Sequence, residues 1–422
     1  PDGNYAPPRM PAVIERLEEP VGGIPADQLD EACRIIREAK RPVIYAGGGV
    51  IASDTSPWLI QLAEKLGCPV TTTIMGLGAF PPDHPLAMSV LGMHGTKYAN
   101  YAVNRADLVI AVGVRFDDRV TGKVSEFIKH GKIIHIDVDR TELNKNKRVT
   151  LPIWADLRQA LSQLVASAEP GDYSEWIQQC QDWRDRWPLT IEKSAGEGIN
   201  PQWAIHQLSE LTGGDALVTV GVGQHQMWAM QHYQVRRPRS FLSSSGLGTM
   251  GFGLPAAIGA KVGCPDRLVI DIDGDGSLNM TIHELSTCHR YGLGVKIVVI
   301  NNQWLGMVRQ WQDMIYRGHR AESDLSDPAT SVKRSSEVEV YPDFVTIAAG
   351  YKVRAERVTR SSDLAAAYER MLANPDEPYL LDVVVSFDEN VFPMIPAGAT
   401  YKEIIMSSDD LLQDHEDGKR DA

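Results

Sequence analysis

The chain alternates short, almost wholly apolar runs with longer stretches whose apolar residues recur every three or four positions. In the first half PVIYAGGGV (Pro42–Val50), ADLVIAVGVRF (Ala106–Phe116) and KIIHIDVD (Lys132–Asp139) read as strands buried on both faces. The segments between them, such as DQLDEACRIIREAK and SPWLIQLAEKLG, carry helical spacing. The alternation restarts at Pro201. There ALVTVGVGQ, RLVIDIDGDG, VKIVVINNQ and PYLLDVVVS read as strands, and LPAAIGAKVG and TIHELSTCHRYG as helices. Strand alternating with helix predicts an α/β class with two doubly wound, parallel-sheet domains. The expected divisions are a Pro- and Gly-rich linker over 1–25, a first domain over 26–168 and a polar, Trp-rich helical connector over 169–199. A second domain follows over 200–390, and then a tail over 391–422 whose acidic, polar end is expected to be disordered.

Composition changes this picture little. A length of 422 residues exceeds one ordinary core and supports two domains. Hydrophobic residues at 43% and charged residues at 23% suit a soluble globular protein. The net charge of −13 argues against a nucleic-acid partner, and no apolar run approaches the length of a membrane span. The start, PDGNYAPPRMP, has no signal- or transit-peptide pattern, so a cytoplasmic location is expected. Five scattered cysteines without CxxC spacing read as reduced thiols and offer no zinc site.

Candidate chemistry lies at two polar clusters that close apolar runs. GDG (Gly274–Gly276) ends one strand, NN (Asn301–Asn302) ends the next, and 24 residues, 277–300, separate them. Two strands joined by one helix are parallel, adjacent or one apart, so both clusters fall at the carboxyl edge of the sheet, where open α/β sheets bind ligands. Asp275 offers a hard anionic oxygen, Asn302 an amide oxygen and Trp304 its backbone carbonyl. So few protein oxygens describe a Mg²⁺ site completed by phosphate. Gly274 and Gly276 let the backbone come close, and the N–H groups from Ser277 onward open a helix towards the anion. A plain βαβ unit with polar turns is the alternative for GDG alone; the combination with NN favours a diphosphate–Mg²⁺ site.

Further stretches point to a family. GVGQHQMWAMQ (Gly221–Gln231), SSSGLGTMGFGLPAAIGA (Ser243–Ala260), NNQWLGMVRQWQ (Asn301–Gln312) and ENVFPMIPAGA (Glu389–Ala399) stand in the second half. GGGV, LGMHG and GVRFDDRVTG stand in the first. With GDG and NN they resemble the thiamine diphosphate enzymes, and among them the acetolactate synthase (acetohydroxyacid synthase) family, its large catalytic subunit, over about Ala26–Met406. The resemblance implies three cofactors: thiamine diphosphate, Mg²⁺ and an FAD that does no net redox work. Thiamine diphosphate is then expected at Val222, Gly223, Gln224 and His225, at Gly248 and Met250, and at Gly274, Asp275, Gly276 and Ser277. Asn302, Trp304, Gly306, Met307 and Val308 complete that set, with Asp275, Asn302 and Trp304 on the metal. Met250 would wedge between the two thiamine rings.

The first domain resembles the FAD domain of the family. FAD is expected at Gly47, Gly48 and Gly49, at Gly92, Met93, His94 and Gly95, at Gly113, Arg115, Asp118 and Arg119, and at Asp137 and Asp156. No strict GxGxxG is present, so the pattern alone is weak. By the same resemblance Arg119, Met250 and Trp311 meet substrate, Trp311 shaping an acceptor pocket that favours 2-ketobutyrate over pyruvate. The implied reaction decarboxylates pyruvate and joins the remainder to pyruvate or 2-ketobutyrate, in branched-chain amino acid biosynthesis. The implied partners are further copies of the chain, as dimer or tetramer, and a small regulatory subunit. The family's N-terminal domain, which carries the glutamate that activates the cofactor, is not found in this sequence, so the isolated chain is expected to be inactive. The stretch Arg317–Phe344 is longer than in the family and is expected to form a loop over the pocket mouth. Open alternatives are another thiamine diphosphate enzyme (pyruvate oxidase or a 2-ketoacid decarboxylase) and a non-catalytic cofactor-binding relic.

Overall fold

The computed structural model describes residues 21–191, 198–327, 340–408 and 410. The first domain is a sheet of β1 (Pro42–Ala46), β2 (Val70–Thr72), β3 (Ala87–Val90), β4 (Leu108–Val112), β5 (Lys132–Asp137) and β6 (Leu151–Trp154). Every pairing is parallel, in the order β3-β2-β1-β4-β5-β6. The second sheet holds β7 (Leu217–Val220), β8 (Phe241–Ser243), β9 (Val269–Gly274), β10 (Val295–Asn301), β11 (Arg354–Val358) and β12 (Tyr379–Val384). It too is parallel throughout, in the order β11-β12-β10-β9-β7-β8. Helices cover both faces, so the central strands are buried from end to end, as β1, β4, β7 and β10 are. The α/β class with two doubly wound sheets stands.

The structure corrects the expected elements in three ways. The runs ending at Val50, Phe116 and Asp139 stop as strands at Ala46, Val112 and Asp137, because the glycines and acids beyond leave the ladder for turns and helix starts. β2, β3, β6, β8 and β11 were not legible, being three to five residues long and, in RAERV, mostly polar. TIHELSTCHRYG is not one helix either: a 3₁₀ turn, Ile282–Glu284, precedes the α-helix Leu285–Tyr291.

Both sheets have a strand order that reverses direction. In the first the reversal falls between β1 and β4, and in the second between β7 and β9. A crevice opens at the carboxyl ends of strands at such a point. The helix Ser174–Arg186, within the expected connector, packs Trp176 and Cys180 into the first core. Residues 391–405 return across both domains: Ile395 N–H donates to the Met93 carbonyl at 2.8 Å, and Lys123 N–H to the Ala399 carbonyl at 3.1 Å. The acidic end from 411 and the centre of the expected loop, 328–339, lie outside the described residues. Among the described residues no helix is long and apolar enough to cross a membrane.

Candidate active site

β9 and β10 are adjacent and parallel, with Gly274 opposite Ile300, so the GDG and NN clusters meet at one edge of the sheet. They line a cleft of about 430 Å³ with the turn after β7. Of the residues expected at the diphosphate cofactor, Val222, Gly223, Gln224, His225, Met250, Gly274, Asp275, Gly276, Ser277, Asn302, Trp304, Gly306, Met307 and Val308 all line it. Gly248 does not. It stands exposed on the neighbouring turn, its N–H on the Ser244 carbonyl at 2.8 Å. Trp228, Ile300 and Leu305 line the cleft and were missed. Trp228 lies one helical turn past Gln224 on the same helix, Gln224–His232, and that spacing was the available signal.

The carboxylate of Asp275 is buried. Its Oδ1 accepts from Gly276 N–H at 2.8 Å, while Oδ2 has no partner among the described residues. Burial pushes its pKa up to about 7, against the pull of the Gly276, Gln303 and Trp304 N–H groups. An orphaned carboxylate oxygen at this depth suits a cation. Asn302 lies beside it: its Oδ1 accepts from Trp304 N–H at 3.0 Å, and its Nδ2 donates to Gln224 Oε1 at 3.2 Å. Among the described residues no group of three or more His, Cys, Asp or Glu forms a metal cluster. Asp275 with an amide and a carbonyl is an oxygen-poor set of a different kind, one that leaves places for phosphate oxygens.

Two of these glycines leave no room for a side chain unless a neighbour shifts. A Cβ on Gly274 would lie 2.5 Å from His225 Nδ1, and one on Gly306 2.1 Å from Gln224 Oε1. Ser277 Oγ accepts from Gly251 N–H at 3.0 Å and Val222 N–H at 3.3 Å, which ties the Met250 turn and the β7 turn to the GDG helix. Gln224, one of the residues expected at the cofactor, donates through Nε2 to Gln310 Oε1 at 2.9 Å and to the Glu389 carbonyl at 3.3 Å.

Beneath the cleft lie two carboxylates that sequence reasoning passed over. Asp271 and Asp273 are both fully buried on one face of β9. Burial, reinforced by the neighbouring Asp273 charge, holds the Asp271 carboxyl far above the usual carboxylate range. Asp273 Oδ1 lies 3.4 Å from His225 Nε2 and would be 1.7 Å from a Cβ on Gly221. No alternation rule predicts a carboxylate pair inside a core strand.

Of the expected substrate residues, Met250 lines the cleft, Trp311 lies at the seam between the domains and Arg119 meets that seam through its backbone. Trp311 packs on an apolar cluster of Met93, Met314, Met394 and Ile405, and Met93 N–H donates to the Arg119 carbonyl at 2.7 Å. The Arg119 side chain is exposed. His94 is buried beside Pro393, and burial pushes its pKa down to about 4.

The residues expected at a dinucleotide sit at the carboxyl edge of the first sheet, after β1, β3, β4, β5 and β6. Gly47, Gly49 and Gly113 meet at its reversal point: a Cβ on Gly47 would lie 2.2 Å from the Gly113 carbonyl oxygen, and one on Gly49 2.6 Å from Gly113 Cα. Gly48 is half-buried beside them, and Gly92 and Gly95 are buried in the turn with Met93. Arg115 and Asp118 are exposed. Asp137 is buried and accepts from Asp139 N–H at 2.8 Å; Asp156 caps the helix Leu157–Ser167 through Gln159 N–H at 3.1 Å.

Two family models match the chain: "Thiamine pyrophosphate enzyme, central domain" over residues 29–164, and "Thiamine pyrophosphate enzyme, C-terminal TPP binding domain" over 221–383. Among curated relatives, the probable acetolactate synthase 2, chloroplastic, of Oryza sativa subsp. japonica is 51% identical over 413 residues, which is 96% of this chain and 61% of the relative. Acetolactate synthase 1, chloroplastic, of Zea mays is 48% identical, covering 96% of this chain and 62% of the relative. Acetolactate synthase, chloroplastic, of Arabidopsis thaliana is 46% identical, covering 95% and 59%. The chain thus spans about three fifths of the length of the curated relatives it matches.

Proposed function

The chain belongs to the thiamine pyrophosphate enzymes, and from that premise we propose that it forms the diphosphate- and metal-binding side of an acetolactate synthase active site. The observation that carries the proposal is the single cleft in which Asp275, with an unpartnered carboxylate oxygen, stands beside Asn302 at the tips of neighbouring strands. Asp275, Asn302 and the Trp304 carbonyl would hold Mg²⁺. His225 and the N–H groups opening the helix Asp275–Asn279 would face the diphosphate, and Met250 the bridge between its rings. When bound, thiamine diphosphate supplies the electron sink for decarboxylating one 2-ketoacid and joining its remainder to a second. The chain's own part is to orient the cofactor, exclude water and select the acceptor. The substrates proposed are pyruvate as donor and pyruvate or 2-ketobutyrate as acceptor, with Trp311 limiting acceptor length from the apolar seam and Arg119 on the acceptor carboxylate.

FAD is proposed at the reversal point of the first sheet, where the interlocked Gly47, Gly49 and Gly113 keep side chains away from the strand ends. A second copy of the chain is proposed to cover the cleft, with exposed Leu247 and Met280 standing three residues along the chain from its lining residues Met250 and Ser277. Calorimetry tests the cofactor reading: thiamine diphosphate should bind this chain only with Mg²⁺ or Mn²⁺ present. The reaction is tested in the protein that joins this chain to a pyrimidine-binding domain. Acetolactate is the product expected from pyruvate, and acetyl phosphate or free aldehyde in its place would overturn the assignment.

A further inference from the structure

The first asparagine of NN does not line the cleft. Asn301 is buried, its Nδ2 donates to Asp382 Oδ1 on β12 at 2.9 Å, and its Oδ1 accepts from Gln303 N–H at 3.2 Å. Gln303 has φ +57°, a conformation that non-glycine residues hold only when tied down. This turn sets Asn302 and Trp304 beside Asp275 on the cleft wall, with Trp304 N–H closing onto Asn302 Oδ1 at 3.0 Å.

Asp382 is in turn held from the far side. It sits opposite Arg357 in the β11–β12 ladder and accepts from Arg357 Nε at 2.7 Å. Arg357 Nη2 donates to Asp343 Oδ1, also at 2.7 Å, and Asp343 caps the helix Phe344–Gly350. The Tyr341 carbonyl accepts from Gln303 Nε2 at 3.5 Å. A fully buried carboxylate is costly to desolvate, and a pair of apolar side chains there would serve the sheet as well or better. The buried Asp382 therefore calls for a role that an apolar residue cannot fill: a fixed acceptor for Asn301.

We propose that Asp382 and Arg357 are positioning residues for the metal turn, and that through Asp343 they link its shape to the segment entering at 340–343. This rests on the metal reading of the cleft. It assigns to β11 and β12, which contribute nothing to the cleft wall, the task of orienting the Asn302 ligand.

The test is Mn²⁺ affinity, read by electron paramagnetic resonance with thiamine diphosphate present, beside thermal melting without either. The double variant Asp382→Leu/Arg357→Met removes the pair without stranding a charge. Its melting temperature should hold or rise while Mn²⁺ affinity falls about tenfold. Asp382→Asn combined with Arg357→Met keeps an acceptor for Asn301 without facing a donor to Arg357, and should restore affinity towards that of the parent. A pair that merely braces the sheet would move melting and leave Mn²⁺ affinity alone, and equal affinity in the folded double variant overturns the proposal. If the double variant does not fold, Arg357→Met at the edge strand is measured in its place, and unchanged Mn²⁺ affinity there overturns it equally. A parent chain that takes up no Mn²⁺ defeats the metal reading itself, and this inference with it.

Discussion

Asp275 shows at one residue how a site is kept ready at a cost to the fold. Its carboxylate is buried with one oxygen unpartnered, and burial, with a smaller push from the Asp382 charge, takes its pKa up to about 7. Asp275→Asn removes the charge without changing the shape. The expected outcome is a chain that melts at the same temperature or higher, while calorimetry finds Mg²⁺-dependent binding of thiamine diphosphate weakened by about 100-fold or more. Gly306→Ala should act differently. The new Cβ would lie 2.1 Å from Gln224 Oε1 and 2.7 Å from Asn302 Nδ2, so it must displace the amide pair that fixes Asn302. A loss of about 1–3 kcal/mol in urea denaturation, together with lost cofactor binding, is expected.

At the scale of elements, the helix Gly306–Ile315 joins the cleft to the seam. Gly306, Met307 and Val308 line the cleft, while Trp311 and Met314 lie on the apolar cluster one turn on. Between them Gln310, fully buried, accepts from Val391 N–H at 2.9 Å and donates to the Val391 carbonyl at 3.1 Å. Its Oε1 also receives Gln224 Nε2 at 2.9 Å. One side chain thus pins the returning segment to the metal turn. Gln310→Leu would leave the Val391 backbone groups unpaired in the core. A destabilisation of about 2–4 kcal/mol in urea is expected, and an unchanged midpoint would show that Gln310 does not hold that segment.

Across the whole molecule the two sheets are coupled through buried groups at their seam. Gln231 Nε2 donates to the His94 carbonyl at 2.8 Å and to the Phe392 carbonyl at 3.2 Å, linking first domain, second domain and returning segment. Burial pushes His94 down to about 4 from an ordinary 6.5, and His232 likewise, with nearby His206 adding to the effect. The unfolded chain binds these protons near pH 6.5, whereas the native chain refuses them until about pH 4. The native state therefore holds fewer protons in between. Stability from this source is complete above pH 6.5 and is lost as pH falls towards 4, by up to about 1.4 kcal/mol per pH unit for each histidine. Urea midpoints at pH 7 and pH 5 measure the slope. His232→Phe should flatten it, and an identical slope in the variant would refute the assignment.

Much of this was legible in the chain because local chemistry dictated it. Long apolar runs such as VKIVVI cannot be left in water, and their spacing with helices required parallel sheets, so GDG and NN had to reach one edge. That same logic brought Asp275 and Asn302 together, and the family resemblance added His225 and Met250 around the same cleft. What the linear pattern could not decide was which side chains from distant segments would meet. VTT, FLS and RAERV become strands only because neighbouring strands offer them a ladder. Asp271, Asp273 and Asp382 carried no signal of their partners in the chain, yet packing buries them completely and leaves Thr219, His225 and Arg357 as their company. Periodicity along a chain records the contrast between core and water; partnership between buried polar groups depends on distances across strands, and those are set when the sheets close.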